Sequence, residues 1–130
     1  MKKRKPHVIV KRSCAGLGLY AKEDVKRGAH IIDYTGEKIT TDEADRRGGK
    51  YLFTLNKKWV VDGKGRENIA RYINHSCKPN CEPEIDESNW TINILAKRAI
   101  KLGEELTYDY GKEYWDDHIK PHGCRCVKCI

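Results

Sequence analysis

The 130-residue sequence lacks a long hydrophobic run and lacks the pattern of a secretory leader. No apolar stretch approaches the roughly 18 residues that a membrane-spanning helix needs. The basic first residues are followed by a short apolar stretch at residues 7–10, which Lys11 and Arg12 end at once, so the hydrophobic segment of a signal peptide does not form. We therefore expect a soluble protein that has no membrane partner and is made and used inside a cell.

Internal repeats and low-complexity tracts are also lacking, and helical patterns are scarce. A chain of this length fits one compact domain with a modest core. Short β-rich segments, separated by glycine, asparagine, aspartate and lysine, dominate instead. They cover residues 7–10, 29–34, 51–55, 59–62, 91–96 and 105–108. The sequence therefore predicts a single, mainly β domain.

The clearest helix signal begins at Thr40. Thr40 and Glu43 match the capping box, in which a threonine hydroxyl accepts a hydrogen bond from the backbone N–H three residues later. The helix is predicted to run through residues 42–47 and to end at Gly48 and Gly49, because glycine favours helix ends. A second short turn is predicted over residues 68–73.

The positive charge is concentrated at the amino-terminal end. Six of the positive charges behind the net charge of +7 lie at Lys2, Lys3, Arg4, Lys5, Lys11 and Arg12, and without them the balance falls from +7 to +1. Residues 82–87 hold four acidic residues and no basic one, which favours the approach of a basic peptide. We interpret residues 1–6 as a solvated basic arm, and a nucleic-acid contact by that arm is the alternative.

The cysteines favour a metal site over disulfides. The six are Cys14, Cys77, Cys81, Cys124, Cys126 and Cys129. Cys124 and Cys126 are too close in sequence for disulfide geometry, whereas the spacing of Cys126 and Cys129 is typical of a zinc knuckle. Because structural zinc binds four ligands, a fourth cysteine must come from elsewhere in the chain. Cys14, Cys77 and Cys81 are the candidates.

Four further segments indicate a binding or catalytic site. Residues 71–81 place two asparagines, a histidine and two cysteines within eleven residues, more hydrogen-bonding capacity than a turn requires. Residues 103–111 end a predicted strand with Tyr108 and Tyr110, which share one face because strand side chains alternate. Residues 16–20 contain two glycines that let backbone approach a ligand, and residues 34–37 end another strand.

In this order, the four segments resemble the SET-domain family of lysine methyltransferases, and the cysteine tail is similar to that family's post-SET zinc motif. The specific strings are Asn-His-Ser-Cys-x-Pro-Asn at 74–80 and Glu-Leu-Thr-Tyr-Asp-Tyr-Gly at 105–111. The resemblance implies a mainly β SET-domain fold of small sheets with few short helices, in which residues 74–80 thread against the C-terminal strand like a knot. It divides the chain into the basic arm 1–6, a SET domain 7–117 and a zinc-binding tail 118–130.

The resemblance also implies the roles of individual residues. S-adenosylmethionine is expected at a loop of residues 16–19 and at further side chains; the full set is Gly16, Leu17, Gly18, Leu19, Tyr34, Asn74, His75 and Tyr110. Tyr110 matches the catalytic tyrosine, and Tyr108 and Tyr51 match positions that line the channel for the substrate lysine. One structural zinc is implied at Cys77, Cys124, Cys126 and Cys129.

The implied activity is methyl transfer from S-adenosylmethionine to a lysine ε-amine of a histone or another basic protein tail. Tyr108, where trimethylating relatives have phenylalanine, favours monomethyl-lysine as the main product. A catalytically silent SET-like module that binds chromatin or peptides is the alternative. A basic zinc protein that binds nucleic acid is a third possibility, which the lack of a recognition helix disfavours. A monomer and a homodimer both stay open. We expect the nucleus and chromatin in a eukaryote, or the cytoplasm or a secreted effector in a bacterium.

Overall fold

The computed structural model describes residues 5–13 and 16–111, and short strands make up most of their regular structure. The strands are β1 (Val8–Ser13), β2 (Gly16–Ala21), β3 (His30–Tyr34), β4 (Glu37–Thr40), β5 (Leu52–Thr54), β6 (Trp59–Asp62), β7 (Asn74–His75), β8 (Cys81–Asp86), β9 (Thr91–Ala96) and β10 (Thr107–Tyr108). One α-helix, α1 (Thr41–Arg47), and one 3-10 helix (Ile69–Tyr72) complete the elements of the described residues. None of the helices in this part of the chain is long and apolar enough to cross a membrane.

The strands form several small sheets. β3, β9 and β8 make an antiparallel sheet with β9 in the centre, and β4, β6 and β5 make a second one with β6 in the centre. β1 and β2 form an antiparallel pair, whereas β7 and β10 pair in parallel. This arrangement of small sheets with few short helices confirms the expected fold class.

The core is built from alternate residues of the strands. Along β9, Ile92, Ile94 and Ala96 are at most 2% exposed, whereas the residues between them are only partly buried. Leu19 of β2 and Leu106, just before β10, are fully buried in the same cluster. Burial of one such side chain stabilises the fold by about 1.5–3 kcal/mol. The core therefore fixes the strands whose ends carry the candidate site residues.

Helix α1 confirms the predicted helix and begins one residue earlier. The Thr40 hydroxyl accepts a hydrogen bond from the Glu43 backbone N–H at 3.1 Å, and the helix ends at Gly48, whose φ is 63°. In the last turn, the Arg47 guanidinium lies 3.1 Å from the buried carboxylate of Asp62. This ion pair ties the helix to the end of β6.

Most of the predicted strands are confirmed, with shifts at their ends. β6 and β9 span the predicted residues, β3, β5 and β10 are one or two residues shorter, and β1 extends further. The 3-10 helix lies within the turn predicted at residues 68–73. β2, β4, β7 and β8 are absent from the prediction. β8 holds Pro83 and three acidic residues, which weaken a strand signal, but it is an edge strand, where proline and charge are tolerated.

Residues 74–80 lie against β10, as the expected knot-like threading requires. β7 pairs with β10 through the backbone. The Asn80 side chain adds a second connection, because it donates to the Glu105 carbonyl at 2.8 Å and accepts from the Thr107 N–H at 2.9 Å. These contacts place the ends of β7 and β10 side by side.

Candidate functional site

Two tyrosines at the C-terminal end of β10 pack against each other. The ring centroids of Tyr108 and Tyr110 lie 4.8 Å apart, which confirms that the two side chains share one side of the chain. Phe53 of β5 packs on Tyr108 with a centroid distance of 6.3 Å, and Tyr108 is only 7% exposed. The three rings form an apolar wall of the kind that packs against the aliphatic stem of a lysine.

Tyr110 is held at three points, all of them on the segment around β7. Its hydroxyl donates to the backbone carbonyl of Ile73. Its backbone N–H donates to Nδ1 of His75 at 3.2 Å, and its ring meets the His75 ring edge-on at a centroid distance of 5.5 Å. The side chain that sequence reasoning assigned to catalysis therefore has one defined orientation.

His75 acts as a neutral hydrogen-bond acceptor in this arrangement. Because Nδ1 accepts from Tyr110, the ring proton belongs on Nε2. Burial lowers the pKa of His75, and the Asp109 carboxylate, 3.9 Å from Nδ1, raises it by less. The His75 side chain is 8% exposed. A ring that stays neutral near pH 7 can keep the Tyr110 backbone aligned.

Asn74 connects β7 to β2. Its side-chain amide nitrogen donates to the Leu17 carbonyl at 2.9 Å and to the Glu105 carboxylate at 2.8 Å, and lies 3.4 Å from the Ser13 hydroxyl. Leu17 itself is 49% exposed, so an apolar side chain is open to a ligand beside these polar groups. The structure thus brings Asn74 together with the glycine segment that sequence reasoning placed in the same site.

The glycine segment is a strand, and the prediction of a loop over residues 16–19 is wrong. β2 pairs with β1 along its whole length, and the Leu19 carbonyl accepts from the Leu106 N–H on its other edge at 2.7 Å. Two glycines lower strand propensity, which explains the misassignment. Gly16 has a φ of 103°, a conformation that other residues rarely adopt.

Tyr34 and Tyr51 lie on the far side of Phe53. The Tyr34 hydroxyl donates to the Tyr51 carbonyl at 2.7 Å, and the Tyr34 ring packs on Phe53 at 5.3 Å. Tyr34 is 6% exposed. Its hydroxyl therefore supports the backbone of Tyr51, a residue predicted to line the lysine channel, and its ring contacts Phe53.

Arg71 and Asn68 belong to the surroundings of the site and were not found by sequence reasoning. The Arg71 guanidinium lies 5.3 Å from the Tyr51 ring centroid and donates to the Tyr72 hydroxyl at 2.7 Å. Asn68 is 1% exposed and joins Thr35 to the backbone near the end of β6. No rule of residue spacing predicts that Arg71 or Asn68 lies near the site. The only signal in the sequence is that both residues are polar.

The predicted zinc ligands lie mostly outside the described residues. The structure does not describe three of the predicted ligands or one alternative, namely Cys124, Cys126, Cys129 and Cys14. Within residues 5–13 and 16–111, no group of three potential metal ligands is present. Cys77 is exposed, with its Sγ 3.8 Å from Nε2 of His75. Cys81 is buried, and burial raises the pKa of its thiol to about 12. Zinc binds the thiolate form of cysteine, and burial disfavours that form at Cys81. Of these two candidates, the exposed Cys77 is therefore the better fit to a metal.

Comparison with known proteins bears directly on this constellation. The sequence pattern of the SET domain matches residues 16–111. The chain is 40% identical, over 93% of its length, to histone-lysine N-methyltransferase trr of Drosophila melanogaster. It is 43% identical, over 99% of its length, to an H3 lysine-4 specific histone-lysine N-methyltransferase of Aspergillus oryzae. It is 40% identical, over 96% of its length, to histone-lysine N-methyltransferase 2D of Homo sapiens.

The chain spans only 5%, 12% and 2% of the lengths of these three relatives. Their similarity therefore concerns one domain of much longer proteins. The matched range, by contrast, covers most of this chain and contains β2, β7, β10 and the aromatic residues between them. On this ground the chain belongs to the SET-domain family.

Proposed function

We propose that this chain is the catalytic domain of an S-adenosylmethionine-dependent protein lysine methyltransferase that acts on a histone. The junction of β7 and β10 carries the proposal, because it brings Asn74 and His75 next to Tyr108 and Tyr110. The names of the three relatives, all histone-lysine N-methyltransferases, support the histone as the substrate class. Nuclear and chromatin location follows from the same substrate.

The arrangement suits an in-line displacement. The attacking nitrogen must lie about 3 Å from the methyl carbon and opposite its bond to sulfur. S-adenosylmethionine supplies an electrophilic methyl group when it is bound. Leu17, Asn74 and His75 would hold the cofactor, and the wall of Tyr108, Tyr110 and Phe53 would hold the lysine. Tyr110 contacts both His75 and Tyr108 and so joins the two groups of residues.

The lysine must lose its proton before it attacks, because its pKa in water is about 10.4. Removal of the amine from water, beside the positive charge of the cofactor, would disfavour its charged form and so lower its pKa. The Tyr110 hydroxyl donates to the Ile73 carbonyl and can accept an amine N–H through its oxygen lone pairs. Tyr110 therefore orients a neutral amine rather than taking its proton.

The main product is monomethyl-lysine in this proposal. Tyr108 is almost fully buried, and its ring packs on Phe53 and Tyr110, so we assign its hydroxyl to the lysine channel. A hydroxyl in that position can anchor a water molecule, and that water would occupy the space that a second methyl group needs. Phenylalanine at this position would remove the anchor.

One structural zinc is part of the proposal, with Cys77, Cys124, Cys126 and Cys129 as its ligands. Cys77 supports it, since it is exposed and lies two residues after the end of β7. Four thiolates form the closed tetrahedral set typical of structural zinc. The metal would join the tail of residues 118–130 to the SET domain of residues 7–117, and residues 1–6 would remain a basic arm.

A catalytically silent SET-like module is the competing function. Transfer of a radiolabelled methyl group from S-adenosylmethionine to recombinant histones separates the two. The name of the Aspergillus oryzae relative specifies lysine 4 of histone H3, so histone H3 with that lysine replaced by arginine is the first comparison. We expect label on histone H3 with the wild-type chain and a rate of labelling at least about 100-fold lower with its Tyr110→Phe variant. Binding of cofactor and peptide without any transfer to histones or lysate proteins would favour the silent module.

A further inference from the structure

The carboxylate of Glu105 lies where β2, β7 and the segment before β10 meet. Its Oε2 accepts from the Asn74 amide nitrogen at 2.8 Å. Its own backbone is held on both sides, by a bridge to Tyr20 of β2 and by the Asn80 amide, which donates to the Glu105 carbonyl at 2.8 Å. The fixed main chain of Glu105 therefore holds its carboxylate next to Asn74.

Gly18 makes room for this carboxylate. A Cβ atom at position 18 would overlap Oε2 of Glu105, lie 3.1 Å from its Cδ and lie 3.0 Å from Cβ of Ser13. Gly18 does not have a positive φ, whereas Gly16 has a φ of 103° and empty space around its missing Cβ. The two glycines of β2 thus differ: Gly16 has a backbone conformation that favours glycine, whereas a Cβ added at Gly18 would meet the end of the Glu105 side chain.

The contacts of Asn74 limit what it can offer a ligand. An asparagine amide has two N–H groups and one carbonyl oxygen. The amide nitrogen of Asn74 lies within hydrogen-bonding distance of the Leu17 carbonyl, the Glu105 carboxylate and the Ser13 hydroxyl, which uses both N–H groups. The carbonyl oxygen of Asn74 is then the atom of the amide that can bind a ligand. If the amide rotated by half a turn, this oxygen would face the Glu105 carboxylate and the two would repel each other.

We propose that Glu105 is a positioning residue that fixes the orientation of the Asn74 amide for cofactor binding, and that Gly18 is glycine because it admits this carboxylate. The inference rests on the proposed function, in which Asn74 contacts S-adenosylmethionine. Glu105 acts through Asn74 and does not itself need to touch the cofactor. We therefore expect the length of the Glu105 side chain to matter more than its negative charge.

Two conservative variants separate reach from charge. Glu105→Gln keeps the length and one acceptor oxygen but loses the charge, whereas Glu105→Asp keeps the charge but withdraws it by one methylene. We expect Glu105→Asp to raise the Kd for S-adenosylmethionine about tenfold, in keeping with the loss of a hydrogen bond to a charged group, and Glu105→Gln to raise it less than about threefold. Isothermal titration calorimetry measures both. A larger loss with glutamine than with aspartate, or no loss with aspartate, would overturn the proposal.

The neighbouring acid provides the matched control. Glu104 accepts from the Lys101 N–H at 2.6 Å and pairs with Arg98 on the surface. Because Glu104 has no part in the Asn74 contacts, Glu104→Asp and Glu104→Gln should leave the cofactor Kd unchanged. Circular dichroism and thermal unfolding of every variant establish that each one is folded when its affinity is measured.

A double-mutant cycle tests the part played by Gly18. Gly18→Ala should weaken cofactor binding by more than about tenfold in the wild-type chain, and by clearly less in the Glu105→Ala background, because the overlapping carboxylate is then gone. Equal losses in the two backgrounds would mean that the Glu105 carboxylate is not what position 18 must accommodate, and the proposal would be wrong.

The Asn74→Ala variant distinguishes a failure of the role of Glu105 from a failure of the proposed cofactor site. If Asn74→Ala leaves the cofactor Kd unchanged, Asn74 is not part of the cofactor site and the proposed site fails with it. If Asn74→Ala weakens binding and Glu105→Asp does not, only the positioning role of Glu105 is refuted.

Discussion

Replacement of Tyr110 by phenylalanine removes one hydroxyl from the proposed site and keeps the aromatic ring. The ring packs against His75 and Tyr108, and these contacts do not involve the hydroxyl. The backbone N–H that donates to His75 is also retained. The variant should therefore fold, and any change in turnover reports on the hydroxyl.

The magnitude follows from the two interactions of that hydroxyl. Loss of one group positioned for the transition state typically lowers kcat by about 100-fold or more, and 100-fold corresponds to about 2.7 kcal/mol. Loss of the hydrogen bond to the buried Ile73 carbonyl costs about 1–3 kcal/mol of stability. For a chain of this length, each 1 kcal/mol lowers Tm by roughly 4 °C.

We expect Tyr110→Phe to lower kcat at least about 100-fold and the Kd for S-adenosylmethionine to change less than about threefold. Single-turnover methylation of a histone H3 peptide measures the first quantity and calorimetry the second, at a temperature well below the lowered Tm. Tyr20→Phe is the matched control, since its hydroxyl donates to the Arg12 carbonyl at 3.1 Å outside the proposed site. That variant should keep wild-type turnover.

A Tyr110→Phe variant with unchanged kcat would remove Tyr110 from the mechanism. A variant that loses cofactor affinity as strongly as turnover would also refute the reasoning. In that case the hydroxyl would serve to build the cofactor site through Ile73, and the lysine amine would be oriented by other groups.

Tyr108→Phe should keep turnover within about tenfold of wild type and shift the product from monomethyl-lysine towards dimethyl- and trimethyl-lysine, because the water anchor is lost. Mass spectrometry of product peptides measures this shift, and identical methylation states from the wild-type chain and Tyr108→Phe would refute the assignment of monomethyl-lysine as the main product. The chain purified without chelator should contain about one zinc, and Cys77→Ser should lower both the zinc content and the activity. Metal analysis that finds no zinc in the wild-type chain would refute the ligand set. Cys81, with a pKa of about 12, should resist iodoacetamide at pH 8, where only about one thiol in 10,000 is ionised. Rapid alkylation of Cys81 in the folded chain would contradict its burial, and the unfolded chain provides the reactive control.

The sequence motifs named residues that the structure brings together, whereas the contacts between these residues could not be predicted. The string at 74–80 and the string at 105–111 identified Asn74, His75, Tyr108 and Tyr110, and the structure joins them through β7 and β10. The exact partners could not be read from spacing, because the bond between Asn74 and Leu17 links residues 57 positions apart. Tertiary packing alone decides such contacts.

The strand errors have a physical reason as well. β2 and β8 carry residues that disfavour strands, the two glycines of β2 and Pro83 with the acidic residues of β8. Each strand forms because a neighbour supplies its hydrogen bonds, β1 for β2 and β9 for β8. α1 was predicted closely because its cap and its final glycine act locally.

The most direct measurement of the central claim is mass spectrometry of an amino-terminal histone H3 peptide after incubation with the chain and S-adenosylmethionine. We predict that one lysine of the peptide gains the mass of a single methyl group and that the initial rate of this gain falls at least about 100-fold with Tyr110→Phe. An unchanged peptide mass, under conditions in which both the cofactor and the peptide bind to the chain, would contradict the assignment of lysine methyltransferase activity.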